Sequence, residues 1–242
     1  MKLLKRIFAG VVVVAMVGIS GFILWASTPL RPAPEAFSAL ESDSQVIVTE
    51  DELITFRPAG SEPTTAFVFY PGGRVDARAY AAPLREIAKQ GYLVILVPVR
   101  LNLAMLDLNA ADRAVAASSS IQHWVIGGHS VGGVAAASYA SANPVDGLVL
   151  WASYPGSDSL KESDLKVLSI YGTQDISSVD VFESSRALLP VDAEFVSIQG
   201  GNHSQFGDYG LQAGDKPAKI ARLDQQAQVV KATSRFLKEI SQ

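Results

Sequence analysis

Along the chain, apolar and polar positions alternate between two regimes. The first is a single stretch, "IFAGVVVVAMVGISGFILWA" (7–26), in which twenty consecutive residues carry no charge. At about 1.5 Å rise per residue such a helix spans a hydrocarbon core of about 30 Å. The second regime begins near residue 43 and is made of short apolar runs separated by amphipathic segments. "QVIVTEDELITFRP" (45–58) predicts a two-stranded hairpin turning at Glu50 and Asp51. "TAFVFY" (65–70), "YLVILVPV" (92–99), "HWVIGG" (123–128), "GLVLWAS" (147–153), "KVLSIYG" (166–172) and "AEFVSIQG" (193–200) read as strands buried on both faces. Helical spacing is expected at 79–91, 107–118, 131–142 and 179–189. It is also expected at 218–240, where Ile220, Leu223, Ala227, Val230 and Leu237 fall on one face. Strands alternating with helices predict a mostly parallel sheet covered by helices on both faces.

The organisation expected is a short cytoplasmic N-terminus (1–6), a transmembrane anchor (7–26), a linker (27–42) and one folded domain (43–242). Three prolines in "TPLRPAPEAFSALES" (28–42) suggest a spacer that lifts the domain off the bilayer. Lys2, Lys5 and Arg6 precede the apolar stretch, so the positive side stays inside and the domain lies outside the cytoplasm. The alternative is a cleaved signal peptide and a secreted domain. Cleavage after Ala26 places Leu24 three residues upstream, and cleavage after Ser27 places Trp25 there, so neither position fits an Ala-x-Ala-like site. The dozen residues between Ser153 and Lys166 leave no room for a large lid.

Composition adds exclusions. The 242 residues include no cysteine, which rules out disulfides, thiolate metal sites and a cysteine nucleophile. Three histidines (His123, His129, His203) make a multi-histidine metal site improbable, and no metal or organic cofactor is expected. The net charge is -4 and no basic run follows residue 6, so nucleic acid is not an expected partner.

The candidate chemistry lies at "VIGGHSVGG" (125–133). Ser130 falls between a strand and a helix, with Gly128 and Gly132 two positions away on either side: the Gly-x-Ser-x-Gly context of a nucleophile on a strained turn. Such a serine needs an acid and then a histidine, in that order. "KVLSIYGTQD" puts Asp175 just beyond one strand, and "AEFVSIQGGNH" puts His203 just beyond the next. Three successive loops at one sheet edge therefore carry a candidate triad, in which His203 acts as base and Asp175 orients it. Each residue also has a plainer reading: Ser130 as a turn residue, His203 as a loop histidine, and Asp175 as the cap of the following helix. Asp180 and Asp208 are fallback acids. His129 is expected to pack or orient locally, and His123 to be structural or exposed. An oxyanion hole is expected from the N–H of Val131 and from Gly73 or Arg74 in "FYPGGRVDARAY". Trp151 and Tyr154, with "LNLAML" (101–106), are expected to wall the substrate pocket.

These segments resemble a serine α/β-hydrolase, and more narrowly the short α/β-hydrolase-fold family related to the dienelactone (carboxymethylenebutenolide) hydrolases. The likeness rests on "VFYPGGRVDARAYAAPL", "GYLVILVPVRLNLA", "WVIGGHSVGG", "GLVLWASYP", "LSIYGTQD" and "GGNHSQFGDYG". It implies Asp175 and His203 as partners of the nucleophile and 71–74 as the oxyanion loop. Dienelactone hydrolases use cysteine where this chain has Ser130, which favours ester over lactone chemistry. Dehalogenases of the fold use aspartate there and are disfavoured. The expected activity is a membrane-anchored carboxylic ester hydrolase acting on a small-molecule or lipid ester. The alternatives are an acyltransferase or cell-envelope esterase of the same fold, or a non-catalytic surface binding protein. The acyl group and oligomeric state are not encoded legibly.

Overall fold

The computed structural model of the protein describes residues 2–242. Its centre is one eight-stranded sheet in the order β1-β2-β4-β3-β5-β6-β7-β8. The strands are β1 (Val46–Glu50), β2 (Ile54–Pro58), β3 (Thr65–Tyr70), β4 (Leu93–Leu96), β5 (His123–His129), β6 (Gly147–Trp151), β7 (Lys166–Gly172) and β8 (Glu194–Ile198). The hairpin β1–β2 joins β4 antiparallel, and all pairs from β4 to β8 are parallel. Parallel strands bury both faces, which is why β3 and β6 are buried at every position.

The helices are α1 (Lys2–Ala26), α2 (Pro34–Ser38), α3 (Ala81–Ala88), α4 (Ala111–Ala116), α5 (Val131–Ala142), α6 (Val179–Ser184) and α7 (Arg222–Ile240). Alternate residues of β3 show the layering. Phe67 and Phe69 pack toward α3 and α7, while Ala66, Val68 and Tyr70 pack toward α4 and α5. Four helices are shorter than their periodicity predicts: α3 begins only after a 3₁₀ turn at Ala77–Tyr80, and α7 begins at Arg222. α4 is preceded by two 3₁₀ turns (Arg100–Asn102 and Ala104–Leu106), and α6 runs into another at Ser185–Leu188.

The buried face of α7 matches the predicted one only in part: Leu237 is buried, and Val230 and the preceding Ile220 pack against the core. Leu223 and Ala227 face solvent, and the face turned inward is Gln225, Gln226, Val229, Ala232, Thr233, Phe236, Leu237 and Ile240. Two glutamines there do structural work at a loop described below.

Residues 27–42 are also not a free spacer. Leu30 pairs with Val75 as an isolated parallel bridge, the Ala33 N–H donates to the Asp208 carbonyl at 2.6 Å, and α2 buries Ala36 completely. Pro34 sits at the first turn of α2, where its missing N–H leaves no bond unmade. By contrast, the apolar stretch of α1 is exposed from Leu4 to Trp25, and only Ala26 at its end is buried against the domain.

Candidate active site

Ser130 follows β5 directly and is the N-cap residue of α5. Its backbone is left-handed (φ 54°, ψ −128°), a conformation that costs a non-glycine residue about 1–3 kcal/mol. The surroundings hold it there. The Ser130 N–H donates to the Trp151 carbonyl at 3.0 Å, and the Ser153 hydroxyl donates to the Ser130 carbonyl at 2.6 Å. The flanking glycines are required by space. A Cβ on Gly128 would stand 2.5 Å from the Gly132 carbonyl group, and one on Gly132 would collide with the Pro71 carbonyl oxygen. Strand, turn and helix thus close tightly enough that only the serine side chain projects, partly exposed.

Asp175 and His203 stand on the loops after β7 and β8, and the structure joins them. His203 Nδ1 lies 3.1 Å from each Asp175 carboxylate oxygen, and both side chains are buried. Asp175 also accepts the Ser177 N–H at 2.9 Å, but the cap of α6 is Ser178, so the helix-cap reading does not apply. The remaining ring nitrogen, His203 Nε2, is buried and has no hydrogen-bond partner among the described residues. The Ser130 hydroxyl therefore does not yet bond to it, a looseness common before substrate arrives. The fallback acids lie elsewhere: Asp180 is exposed on α6, and Asp208 is paired with Arg222 at 2.8 Å.

The His203 loop is fastened by residues the sequence did not flag. Asp215 accepts the Ser204 N–H at 2.8 Å, the Ser204 hydroxyl at 2.6 Å and the His203 N–H at 3.3 Å. Gln225 of α7 accepts the Asn202 N–H at 2.9 Å and donates to the Asn202 carbonyl at 2.7 Å. Asp215 lies twelve residues from the histidine and Gln225 twenty-three from Asn202, so local pattern carries no trace of either contact.

His129 is fully buried and joins two loops across the turn. Its Nε2 is 3.1 Å from the His203 carbonyl, which can only accept, so Nε2 carries the proton. Nδ1 then accepts from the Tyr80 hydroxyl at 2.8 Å, and that hydroxyl accepts the Gly72 N–H at 3.1 Å. The oxyanion-loop candidate and the His203 loop are thereby linked through one neutral imidazole. Burial, and the nearby His203, hold the His129 pKa well below its ordinary value of 6.5. The unfolded chain takes up a proton near pH 6.5 that the folded chain refuses. This contribution to stability is therefore present above pH 6.5 and is lost as pH falls, at about 1.4 kcal/mol per pH unit until the folded pKa is reached. Urea unfolding between pH 7 and 5 should show a shallower loss for His129→Gln than for the unaltered chain; equal slopes would contradict this assignment.

Of the three predicted oxyanion donors, two have backbone N–H groups without a hydrogen-bond acceptor among the described residues. Val131 is the first residue of α5, where N–H groups have no intrahelical acceptor. The Gly73 N–H has no acceptor among the described residues, and a Cβ on Gly73 would stand 2.7 Å from Val131 Cγ2, so the loop packs against the Val131 side chain. Arg74 is a correction. Its N–H is bonded to the Asn102 carbonyl at 2.7 Å, and its guanidinium is engaged by the Trp25 and Thr28 carbonyls at 3.0 and 2.8 Å.

Trp151 is a second correction. It is fully buried, its ring lies tilted with its centroid 4.5 Å from that of Phe69, and it donates to the Thr233 hydroxyl at 3.2 Å, so it belongs to the core and not to a pocket. Tyr154 remains at the surface, edge-on to Phe182. A cleft of about 1280 Å³ between α2, α3 and α7 contains none of the triad candidates. Among the described residues, no group of three or more His, Asp or Glu side chains is arranged to hold a metal ion.

A model of the alpha/beta hydrolase family matches residues 66–227. Among solved structures, the chain is similar to the esterase domain of a Rhodothermus marinus protein (TM-score 0.61, 15% identity, covering 80% of this chain and 97% of that one). It is also similar to a predicted CIB-like hydrolase from Thermoplasma acidophilum (TM-score 0.58, 15% identity, 80% and 99%). A third is a dienelactone hydrolase from Anabaena variabilis (TM-score 0.58, 16% identity, 81% and 98%). At such identities the likeness is one of fold. A comparison with curated proteins gives no match.

Proposed function

The chain belongs to the alpha/beta hydrolase family, and from that premise we propose that it is a serine hydrolase of carboxylic esters, working through Ser130, His203 and Asp175. The observation that carries this reading is His203, gripped at Nδ1 by both Asp175 oxygens while its buried Nε2 has no partner. A buried nitrogen without a partner is costly unless a reacting proton is its business. Nε2 takes the Ser130 proton as Oγ bonds to the ester carbonyl carbon. The oxyanion so formed accepts from the Gly73 and Val131 N–H groups. The C–O bond to the alcohol then breaks, and the alcohol leaves with the proton from Nε2. Water, deprotonated by the same nitrogen, cleaves the acyl-enzyme to release the acid and restore Ser130. The esterases among the structural neighbours support an ester as the bond cleaved.

The α1 helix is proposed as a retained signal anchor, with Lys2, Lys5 and Arg6 on the cytoplasmic side and the catalytic domain outside. In support, its apolar side chains from Leu4 onward face outward rather than into the domain. A soluble core helix would be buried. Ala26 at its end is fully buried against the domain, which favours retention over cleavage there.

The test is a rapid-mix measurement on the full chain in detergent, using p-nitrophenyl butyrate. An acyl-enzyme route gives a burst of nitrophenol approaching one equivalent per chain when deacylation is slow. Absence of any turnover would refute the reading.

A further inference from the structure

The end of α1 is fastened to the loop that carries the Gly73 N–H. The Arg74 guanidinium donates to the Trp25 and Thr28 carbonyls at 3.0 and 2.8 Å and lies 4.3 Å over the Trp25 ring. Asn102, in the loop after β4, donates its side-chain amide to the Ala26 carbonyl at 3.0 Å. Leu30 is sewn to the same loop on both sides: its N–H donates to the Arg74 carbonyl at 2.7 Å, and its carbonyl accepts the Asp76 N–H at 3.0 Å. No slack separates the apolar helix from these contacts, because Trp25 and Ala26 belong to both.

This arrangement sets how far the site can stand from the membrane. The headgroup layer of one leaflet is about 5–8 Å thick. A loop bonded to the last residues of a spanning helix lies in or against that layer. Gly73, next to Arg74 in the chain, packs on Val131, which follows Ser130. The rest of the rim on this sheet edge suits the same surroundings. Met105, Leu106, Val131 and Tyr154 are apolar or amphipathic and 36–50% exposed, an unfavourable display toward water. Arg31 and Arg100 are exposed beside the end of α1, placed for anionic headgroups.

We propose that the site opens onto the bilayer surface at which α1 ends, and that its substrate is the acyl ester of a membrane-embedded amphiphile. The ester carbonyls of such molecules lie at the boundary between hydrocarbon and headgroups, the level at which the clamp holds the Ser130 turn. The inference rests on the serine-hydrolase reading and specifies its substrate class. The chemistry is the hydrolysis already written: the acid stays in the leaflet, and the alcohol portion departs with the proton.

The experiment uses the full chain in phosphatidylcholine vesicles with two esters. One is water-soluble p-nitrophenyl butyrate; the other is a fluorogenic long-chain diacylglycerol dissolved in the vesicles. A variant carries twenty Gly/Ser residues inserted between Ser27 and Thr28, long enough to let the domain rise about 25 Å. The Leu30–Val75 pairing and the Thr28 contact to Arg74 lie beyond the insertion and are kept. The expected result is hydrolysis of both esters by the unaltered chain. The spacer should lower turnover of the vesicle ester at least tenfold while soluble-ester turnover stays within threefold. Hydrolysis of the soluble ester alone overturns this inference and leaves the hydrolase reading standing. So does a spacer that affects both esters equally or neither. Hydrolysis of neither ester by the unaltered chain overturns both.

Discussion

Replacing Ser130 with alanine should lower kcat for ester hydrolysis by about 10⁶-fold while leaving the fold intact. The two halves of that expectation have separate physical grounds. Turnover collapses because no other nucleophile stands at the turn after β5. What should survive is stabilisation of the transition state by the proposed donors, the Gly73 and Val131 N–H groups, worth about 10³–10⁴ over water in comparable sites. The fold persists because alanine keeps the Cβ that the left-handed backbone already tolerates, and the bonds holding the turn run through the Ser130 main chain to Trp151 and Ser153. Initial rates with p-nitrophenyl butyrate and a thermal melt by circular dichroism check both halves. A loss smaller than about tenfold would place the chemistry elsewhere.

The second large effect is expected at the acid. Asp175→Asn should lower kcat by about 10⁴-fold. The carboxylate faces His203 Nδ1 with both oxygens at 3.1 Å, so Nδ1 must carry the proton and Nε2 is left as an acceptor. An asparagine can turn its oxygen to the Ser177 N–H, as Oδ1 of Asp175 does now, which presents its NH₂ to Nδ1. The imidazole then moves its proton to Nε2, where it can no longer accept from serine. Asp208→Asn is the control. Asp208 is held by Arg222 and by Gln226 of α7, and burial raises its pKa, so its change should alter stability and leave kcat within a few-fold. If Asp208→Asn is the more damaging to turnover, the acid has been misassigned.

Much of this site is legible in the sequence, and the reasons are local. "TAFVFY" and "KVLSIYG" are strands because every residue from Ala66 to Tyr70 and from Val167 to Gly172 is buried on a two-sided sheet. Ser130, Asp175 and His203 each follow such a run, so their shared sheet edge can be read without coordinates. The misreadings come from contacts at a distance. Gln225 and Gln226 look solvent-facing in α7, yet they are turned inward to bond Asn202 and Asp208, which rotates the buried face away from Leu223 and Ala227.

Trp151 ends an apolar strand near Ser130 and so resembles a pocket wall. Strand alternation puts it on the face of Val149, with Phe67 and Phe69, in the core layer beneath α7. The prolines at 29, 32 and 34 look like a spacer. Instead Leu30 pairs with Val75, and Pro34 starts α2. Arg74 has no local mark at all, since its partners lie forty-six and forty-nine residues upstream. The linkage through His129 and Tyr80 spans a similar distance and is equally silent.

The central claim is that Ser130 is a nucleophile activated by His203. It is tested most directly by treating the full chain with a fluorophosphonate and mapping the adduct by peptide mass spectrometry. The account predicts one phosphonyl group per chain, on Ser130, formed far more slowly in Asp175→Asn and absent from Ser130→Ala. An unlabelled wild type, or equal labelling of Ser130→Ala, would contradict it.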